Sequence, residues 1–349
     1  MGSTMRAAVL YGKEDVRLES VPVPAVGAGE ILIRVRTALT CGTDVKVFRR
    51  GYHAKMIVPP ALFGHELAGD VAAVGDGVTR FRVGQRVVAA NSAPCGNCFF
   101  CRRGQLNLCE DLLFNNGAYA EFIHIPARIV EKNTYEIPPH LSYQDAALVE
   151  PLACVLRGLD ECNVLPGDTV AVMGLGPIGL MFVRMAKAVL NARVIAIARR
   201  QSQIDNAIRL GADDGVILDL QNPQSTITEL RRQTDGRGAD LTIEAIGLPE
   251  TWELAPQLVR KGGVINFFGG CPAGTRVGLD TQLLHYSDIT CRASFHHTPD
   301  HIRRSLHAVQ SGKVTSDYLV NREEPLDNLL KVMRDLMKPN GHIKTAIIP

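Results

Sequence analysis

The sequence has no excess of charge of either sign and no long apolar run. The 38 lysines and arginines are matched by 36 acidic residues, a net charge of +2, which argues against a strongly basic nucleic-acid binder and an acidic disordered tail. The longest apolar stretch, residues 170–183, is interrupted by glycine and proline and is too short to span a bilayer. The N-terminal residues show no charged segment followed by an apolar core, so we expect no signal peptide, no membrane association and a cytoplasmic protein.

Aromatic residues are also scarce, with one tryptophan in 349 residues, whereas glycine occurs 32 times. This length predicts about two domains. Abundant glycine beside runs of valine, isoleucine and alanine favours an α/β protein with tight turns near ligands.

The pattern of apolar residues changes near residue 150. The first part predicts short strands, at residues 6–11, 30–38, 67–74 and 85–90. From residue 168 onward strands alternate with helices, the helices at 177–190 and 202–210 and the strands at 169–173, 193–198, 216–218, 240–246, 264–268, 289–295 and 343–348. The alternation predicts a doubly wound parallel sheet.

A glycine-rich turn follows the first of these apolar strands and opens a helix. It reads Gly174-Leu-Gly176-Pro177-Ile178-Gly179. Glycines at this spacing permit a tight turn, close approach of the backbone to a pyrophosphate and close packing of helix on strand. The context therefore favours a dinucleotide site over a structural turn alone.

The end of the second strand indicates which dinucleotide binds. An acidic residue about 20 positions after the turn would bind a ribose 2′-hydroxyl. Ala198 stands there instead, followed by Arg199 and Arg200. A small residue leaves room for a 2′-phosphate and arginine supplies a planar donor fork, so we predict NADP(H) rather than NAD(H). The alternative is a pair of solvated surface arginines.

Four of the nine cysteines form a cluster, Cys95-x2-Cys98-x2-Cys101-x7-Cys109. Four thiolates at short spacing, with no open position, predict a closed structural zinc site. An iron–sulfur cluster is the first alternative, but the last spacing is longer than in the ferredoxin run and no proline follows. A zinc-ribbon nucleic-acid module and four metal-free thiols are the others.

A second set of ligands lies apart in the sequence. Cys41 follows a predicted strand, His65 begins another in Gly64-His-Glu66, and Glu150 precedes a proline. A cysteine, a histidine and a carboxylate with one open position are typical of catalytic zinc. Alone, the histidine could be structural and the glutamate an ordinary buried carboxylate.

Taken together, these motifs resemble the zinc-dependent medium-chain dehydrogenase/reductase family, in its sorbitol (polyol) and threonine dehydrogenase branch. The resemblance covers essentially the whole chain. The matching motifs, in order, are Cys41-Gly-Thr-Asp44, Gly64-His-Glu66, the four-cysteine cluster, Gly117-Ala-Tyr-Ala-Glu-Phe122, Glu150-Pro-Leu152 and Gly174-Leu-Gly-Pro-Ile-Gly179.

The resemblance implies a fold of two domains. A GroES-like, β-rich catalytic domain would comprise residues 1–155 and 291–349 and carry both zinc sites, and a Rossmann NADP-binding domain would comprise residues 156–290. The family places its active site in the cleft between the two. Relatives associate as dimers or tetramers, so we expect a homo-oligomer, preferably a tetramer.

The resemblance also implies roles for single residues. Cys41, His65 and Glu150 look like the catalytic zinc ligands, and Glu66 matches a position that binds zinc directly in some members. Thr43 matches the hydroxyl that accepts the substrate's proton. The family often has histidine where this chain has Lys46, so either Lys46 or His53 would continue the proton path.

The expected activity is reversible hydride transfer between NADP(H) and a secondary alcohol or ketone, such as a sugar alcohol or ketose, with one catalytic and one structural Zn2+ per chain. One alternative keeps the fold and the zinc ions but reduces a specialised aldehyde or a cyclitol or amino-sugar ketone. A remote alternative is a non-catalytic dinucleotide-binding scaffold.

Overall fold

The structure of the chain is a computed structural model that describes residues 3–53, 55–338 and 342–349. The chain divides into two compact units. The first combines Met1–Ala153 with His297–Pro349, and the second is Cys154–His296. Among the described residues, no helix has the length and apolar character needed to cross a membrane.

The strands of the described chain are, in order, β1 Thr4–Gly12, β2 Asp15–Pro22, β3 Ile31–Leu39, β4 Ala61–Leu62, β5 Glu66–Val74, β6 Arg86–Ala89, β7 Ser92–Ala93, β8 Leu113–Phe114, β9 Phe122–Ile125, β10 Thr134–Glu136, β11 Thr169–Met173, β12 Arg193–Ala198, β13 Asp214–Ile217, β14 Ala239–Glu244, β15 Val259–Phe267, β16 Thr290–Ala293, β17 Val320–Pro325 and β18 Lys344–Ile348.

The α-helices are α1 Gly42–Arg50, α2 Phe99–Arg102, α3 Ala127–Asn133, α4 Tyr143–Ala147, α5 Val149–Asp160, α6 Pro177–Ala188, α7 Gln201–Arg209, α8 Pro223–Gln233, α9 Pro249–Leu258, α10 Thr281–Tyr286, α11 Pro299–Gln310 and α12 Leu329–Leu336. Two short 3-10 helices lie at Leu106–Leu108 and Leu326–Asn328.

The first unit is built on a largely antiparallel sheet. Its strand order is β10-β6-β5-β3-β18-β17, with β9 also paired to β3. Alternating side chains of β3 and β5 enter a core that also contains the fully buried Phe48 and Tyr119. Because β18 pairs with β3, the end of the chain is part of the same sheet as the first strands.

The second unit is a six-stranded parallel sheet of order β13-β12-β11-β14-β15-β16. Strand β11 is buried along four of its five residues, as expected for a parallel sheet covered by helices on both faces. The chain moves outward from β11 to β13 and then returns to the other side of β11 as β14. This reversal places a ligand crevice at the carboxyl ends of β11 and β14.

The predicted α/β class with a doubly wound parallel sheet is confirmed, and each predicted strand overlaps an observed one. The first 150 residues nevertheless contain α1 to α4 and the start of α5, which the prediction of a mostly β region omitted. The prediction also missed β17, Val-Asn-Arg-Glu-Glu-Pro. Since β17 lies at the edge of its sheet, it needs little apolar sequence.

Candidate functional site

Helix α1 places Cys41 at its N-cap. The Cys41 sulfur accepts a hydrogen bond from the Thr43 amide at 3.4 Å, and the Asp44 side chain accepts one from the Cys41 amide at 3.2 Å. This reciprocal capping satisfies amides at the start of the helix. It also fixes the backbone from which the Cys41 thiol projects.

Two further donors stand at the start of strand β5. His65 and Glu66 are both buried, and one donor atom from each lies within 4.8 Å of the other and of the Cys41 sulfur. The fold thus brings Cys41 next to two side chains that follow it by 24 and 25 residues in the sequence.

Asp44 orients His65. Its Oδ1 lies 2.9 Å from His65 Nδ1, and its Oδ2 accepts a 2.6 Å hydrogen bond from the hydroxyl of Tyr119. A carboxylate on Nδ1 leaves Nε2 for a metal and sets the tautomer of the ring. Burial raises the pKa of Tyr119, and the nearby Asp44 adds to this rise, so Tyr119 stays a donor.

Lys344 lies beside Glu66 in the interior of the first unit. Its Nζ donates to Glu66 Oε2 at 2.5 Å and to the Thr40 carbonyl at 2.8 Å. Burial alone would lower the pKa of Lys344, but the Glu66 carboxylate outweighs this and raises it. The ammonium therefore remains charged and holds one oxygen of Glu66.

The other oxygen, Glu66 Oε1, is buried and has no hydrogen-bond partner among the described residues. An unsatisfied buried carboxylate oxygen costs free energy unless a cation completes it. Sulfur, imidazole nitrogen and carboxylate oxygen are the donors that zinc takes in catalytic sites. The set formed by Cys41, His65 and Glu66 therefore fits a zinc ion with an open position.

Glu150 lies outside this group of three. It is buried near the start of α5, and its Oε1 is 3.7 Å from His297 Nε2. Burial raises the pKa of Glu150 to about 7. The charge of Glu66 adds to this rise, and the charges of His65 and Lys344 oppose it. His297 in turn contacts Asn91 at 3.1 Å. The structure therefore places Glu150 near the donor group, with His297 beside it.

The residues predicted for proton transfer occupy different surroundings. Thr43 is partly buried in the first turn of α1, next to Cys41, whereas Lys46 is exposed on the same helix. His53 is partly buried, and its Nδ1 accepts amide hydrogen bonds from Lys55 at 3.1 Å and Met56 at 3.0 Å. Burial lowers the pKa of His53, and the nearby His65 lowers it further.

The four-cysteine cluster lies within the first unit, in a segment with α2 and the 3-10 helix Leu106–Leu108 that is called the four-cysteine lobe here. All four sulfurs lie within 4.8 Å of one another, with 4.0 Å between those of Cys95 and Cys101 and 3.9 Å between those of Cys98 and Cys109. Zinc–sulfur bonds of about 2.3 Å in a tetrahedron place sulfurs about 3.8 Å apart. A hydrogen bond from the Glu110 amide lowers the pKa of Cys98 to about 6, which favours its thiolate. The lobe fits a structural zinc ion.

In the second unit the glycine-rich turn joins β11 to α6. Pro177 is the first helical residue, where its missing N–H costs nothing. A Cβ added at Gly179 would lie 1.7 Å from the carbonyl oxygen of Gly174. The turn therefore needs glycine at position 179 for the helix to pack on the strand. Because Pro177 has no N–H, the amide of Ile178 is the first that the helix N-terminus offers.

The predicted selectivity residues lie at the end of β12. Ala198 is buried as the last residue of the strand, and Arg199 and Arg200 are exposed. Strands β11 and β12 are neighbours in the sheet, so these arginines and the glycine-rich turn stand at the same edge.

Sequence reasoning gave no role to Asp44, Tyr119 or Lys344. The spacing of Asp44 after Cys41 matches a capping box, and a lone lysine inside the apolar final strand is a signal of a buried partner. Neither signal identifies that partner, because His65 and Glu66 are brought there by the tertiary fold.

Comparisons with known proteins agree with this geometry. Residues 27–138 match the family described as "Alcohol dehydrogenase GroES-like domain", and residues 177–311 match "Zinc-binding dehydrogenase". The chain is 31% identical to a sorbitol dehydrogenase of Bacillus subtilis (strain 168), over 99% of this chain and 97% of the relative. It is also 31% identical to an L-threonine 3-dehydrogenase of Bacillus licheniformis, over the full length of both.

A solved structure from Sinorhizobium meliloti 1021, proposed to be a zinc-binding dehydrogenase and bound to NADP, superposes with a TM-score of 0.89. It is 29% identical to this chain, and the match covers 99% of this chain and all of the other.

Proposed function

Because the chain belongs to the zinc-dependent medium-chain dehydrogenase/reductase family, an oxidoreductase family acting on alcohols, we propose that it is an NADP(H)-dependent alcohol or polyol dehydrogenase. It would transfer hydride reversibly between the nicotinamide and a secondary alcohol or ketone, such as a sugar alcohol or ketose. The donor group of Cys41, His65 and Glu66, with its unsatisfied buried carboxylate oxygen, is the observation that carries this proposal.

The residues of the first unit would hold and tune the reacting alcohol. Zinc, when bound by Cys41, His65 and Glu66, supplies Lewis acidity that lowers the pKa of an alcohol. Asp44 keeps Nε2 of His65 directed at the metal, and Lys344 holds one oxygen of Glu66. Glu150, 3.7 Å from His297, would act as a fourth ligand or as a carboxylate beside the open position.

Proton transfer would begin at Thr43. Its place in the first turn of α1, two residues after Cys41, puts a hydroxyl next to a metal ligand. Of the two candidates beyond it, His53 is better supported than Lys46. Two backbone amides fix its Nδ1 as an acceptor, so the proton resides on Nε2, while a lowered pKa keeps a neutral ring available. Lys46 is exposed.

The second unit would bind NADP(H), which when bound accepts or donates the hydride. The turn of Gly174, Gly176 and Gly179 would receive the pyrophosphate, and Arg199, assisted by Arg200, would pair with the 2′-phosphate. The absence of a carboxylate at Ala198 and the NADP bound to the Sinorhizobium meliloti protein support this choice over NAD(H). We further propose two zinc ions per chain, one catalytic and one in the four-cysteine lobe, and a homo-oligomer.

An assay of the purified, zinc-loaded protein tests the proposal. NADP+ and NAD+ are offered separately with a panel of polyols, inositols, simple secondary alcohols and threonine. We expect turnover of polyols with a strong preference for NADP+. Turnover with NAD+ alone would contradict the 2′-phosphate assignment, and threonine as the sole substrate would contradict the polyol assignment.

The exposed Lys46, where the family often has histidine, favours a second candidate. The same fold and zinc ions would then reduce a specialised aldehyde or a cyclitol or amino-sugar ketone. Protein that holds zinc and NADPH but oxidises no alcohol in the panel would support this candidate, and a panel of carbonyl compounds with NADPH would then identify the substrate class.

A further inference from the structure

A buried carboxylate at the end of β14 lies at the reversal point of the parallel sheet. Strands β11 and β14 are neighbours, with Met173 paired to Glu244. The chain crosses from one half of the sheet to the other between these strands, and ligands bind at the carboxyl ends of strands at such a point. Residues 245–247 therefore follow β14 at the same edge of the sheet at which the glycine-rich turn follows β11.

The two loops are in direct contact. The Ala245 amide donates to the Met173 carbonyl at 2.9 Å. A Cβ added at Gly174 would lie 2.4 Å from Cγ1 of Ile246. The position of residues 245–247 therefore fixes one side of the turn that would hold the pyrophosphate.

Glu244 holds these residues in place. Its side chain is fully buried, and Oε1 accepts three hydrogen bonds: from the Ile246 amide at 2.9 Å, the Gly247 amide at 2.8 Å and the Thr251 hydroxyl at 2.8 Å. The main-chain carbonyl of Glu244 also accepts a hydrogen bond from the Gly269 amide at 2.8 Å. One residue thus ties the loop after β14, the start of α9 and the loop after β15.

The second carboxyl oxygen has a different environment. Oε2 is buried without a hydrogen-bond partner among the described residues, and a Cβ at Gly269 would lie 2.6 Å from it. Burial raises the pKa of Glu244, although its three donors oppose the rise. The side-chain amide of glutamine has nearly the shape of this carboxyl group, and its oxygen can accept the same three hydrogen bonds.

We propose that Glu244 is a positioning residue for the dinucleotide, because it holds residues 245–247 against the glycine-rich turn and so sets the affinity for the cofactor. The inference rests on the proposed binding of NADP(H) and adds a residue that would act without touching the cofactor. It is distinct from a general contribution to folding, which any buried hydrogen-bonded carboxylate of this unit would share.

The chain carries its own reporter for this loop. Trp252, its only tryptophan, donates from Nε1 to the Gly269 carbonyl at 2.8 Å and stacks on Phe267 at 4.2 Å. Its fluorescence therefore senses the loops that Glu244 joins, and its quenching by NADPH measures binding without catalysis.

A matched control lies at the opposite end of the same strand pair. Asp240 Oδ2 accepts a hydrogen bond from the Thr169 amide at 2.7 Å, and its Oδ1 accepts one from Arg260 Nε at 2.5 Å. It is a hydrogen-bonded carboxylate of β14 remote from the carboxyl ends. Asp240→Ala should lower the melting temperature and leave the affinity for NADPH unchanged.

The test measures NADPH affinity by Trp252 fluorescence and by calorimetry in the full-length, zinc-loaded protein. We expect Glu244→Ala to raise the Kd for NADPH by about tenfold or more relative to wild type. The Kd values of Glu244→Gln and of the control Asp240→Ala should both stay within about threefold of the wild-type value. In steady-state assays Glu244→Ala should raise the KM for NADP+ more than it lowers kcat.

Equal effects of Glu244→Ala and Asp240→Ala on affinity would overturn the inference. If Glu244→Ala does not fold, Thr251→Val serves instead, because it removes one of the three donors to Glu244 and should raise the Kd for NADPH by about twofold to fivefold. An unchanged Kd in Thr251→Val would also overturn the inference. Wild-type protein that binds neither NADPH nor NADH would overturn the proposed function itself, whereas normal wild-type binding with unaffected variants would overturn this inference alone.

Discussion

Lys344 is a charged residue on the final strand, and its ammonium is almost completely removed from water. Its pairing with Glu66 offsets only part of the cost of burying two charges. Such a pair contributes little net stability compared with apolar residues, yet loss of one partner is severe. The pair therefore fits the proposed zinc site, in which Lys344 would hold the Glu66 carboxylate in place.

Replacing Lys344 with methionine should destabilise the protein strongly. The Glu66 oxygen that Lys344 holds would remain buried without its counter-charge, which costs about 3 kcal/mol or more. Urea unfolding of the zinc-loaded protein measures the change. Lys331→Met, on the exposed face of α12, is the control and should change stability by less than about 0.5 kcal/mol. A similar small change for both variants would contradict the role given to the buried pair.

Arg199 should determine selectivity between the two cofactors. Removing a charge-assisted hydrogen bond to a 2′-phosphate costs about 1.5–3 kcal/mol, so Arg199→Ala should lower kcat/KM for NADP+ by about tenfold to a hundredfold. Activity with NAD+ should change little, because NAD+ lacks that phosphate. Arg209→Ala, an exposed arginine of the following helix α7, controls for a general loss of positive charge. Equal losses with NADP+ and NAD+ would argue against the assignment.

At this scale the sequence predicts residues whose chemistry is rare and whose spacing is characteristic. Cys41 and His65 are of this kind. Asp44 and Lys344 are not, because carboxylates and lysines are common and their partners are set by tertiary packing. Glu244 was likewise invisible, since its role depends on amides that follow it in a loop.

The turn between β11 and α6 is an element in which two glycines have separable tasks. A Cβ at Gly179 would collide with the Gly174 carbonyl oxygen, whereas a Cβ at Gly176 would meet no atom within 4 Å. Gly179 therefore serves the packing of the helix on the strand. Gly176 leaves open space at the N-cap of α6, where a pyrophosphate would approach.

Substituting these glycines one at a time should separate folding from binding. Gly179→Ala should lower the free energy of unfolding by about 3 kcal/mol through overpacking. Gly176→Ala should leave it within about 0.5 kcal/mol and weaken NADPH binding by about tenfold, because its methyl group would occupy the pyrophosphate's place. Thermal unfolding and calorimetric titration measure the two effects, and unchanged NADPH binding by Gly176→Ala would place the pyrophosphate elsewhere.

Among elements, those of the parallel sheet were predictable and the short helices of the first unit were not. After the polar first residues Thr169 and Arg193, strands β11 and β12 are apolar and buried, so their extent follows from composition. Helix α1 has nine residues and a polar outer face, too few turns for a periodic pattern to stand out. Its start is set by the capping of Cys41, which only the folded backbone reveals.

At the scale of the whole molecule, the chain forms one unit from both of its ends and a second from its middle. Strand β18 reaches the first sheet by pairing with β3, whose residues lie about 300 positions earlier. Local patterns of apolar residues cannot predict such a pairing. Resemblance to a family did imply a returning segment, because it draws on the order of motifs along the whole chain.

The two units should lose their functions separately. The Cys41, His65 and Glu66 group and the four-cysteine cluster lie in the first unit, whereas the glycine-rich turn lies in the second. We expect wild-type protein to hold two zinc ions per chain and Cys41→Ser and Cys98→Ser to hold one each. Cys41→Ser should lose alcohol oxidation yet bind NADPH within about threefold of wild type, since its turn is intact. Cys98→Ser should instead lower the melting temperature, because structural zinc contributes to folding directly.

Metal analysis, NADPH titration and thermal unfolding distinguish these outcomes, with Cys291→Ser as control. Cys291 is an exposed cysteine of the second unit, so its loss should change neither the zinc content nor the melting temperature. If Cys41→Ser keeps two zinc ions and full turnover, Cys41 is not a ligand and the catalytic centre lies elsewhere. If it loses both zinc and NADPH binding, the two functions are coupled, and the zinc ligands then influence the cofactor site as well as the alcohol.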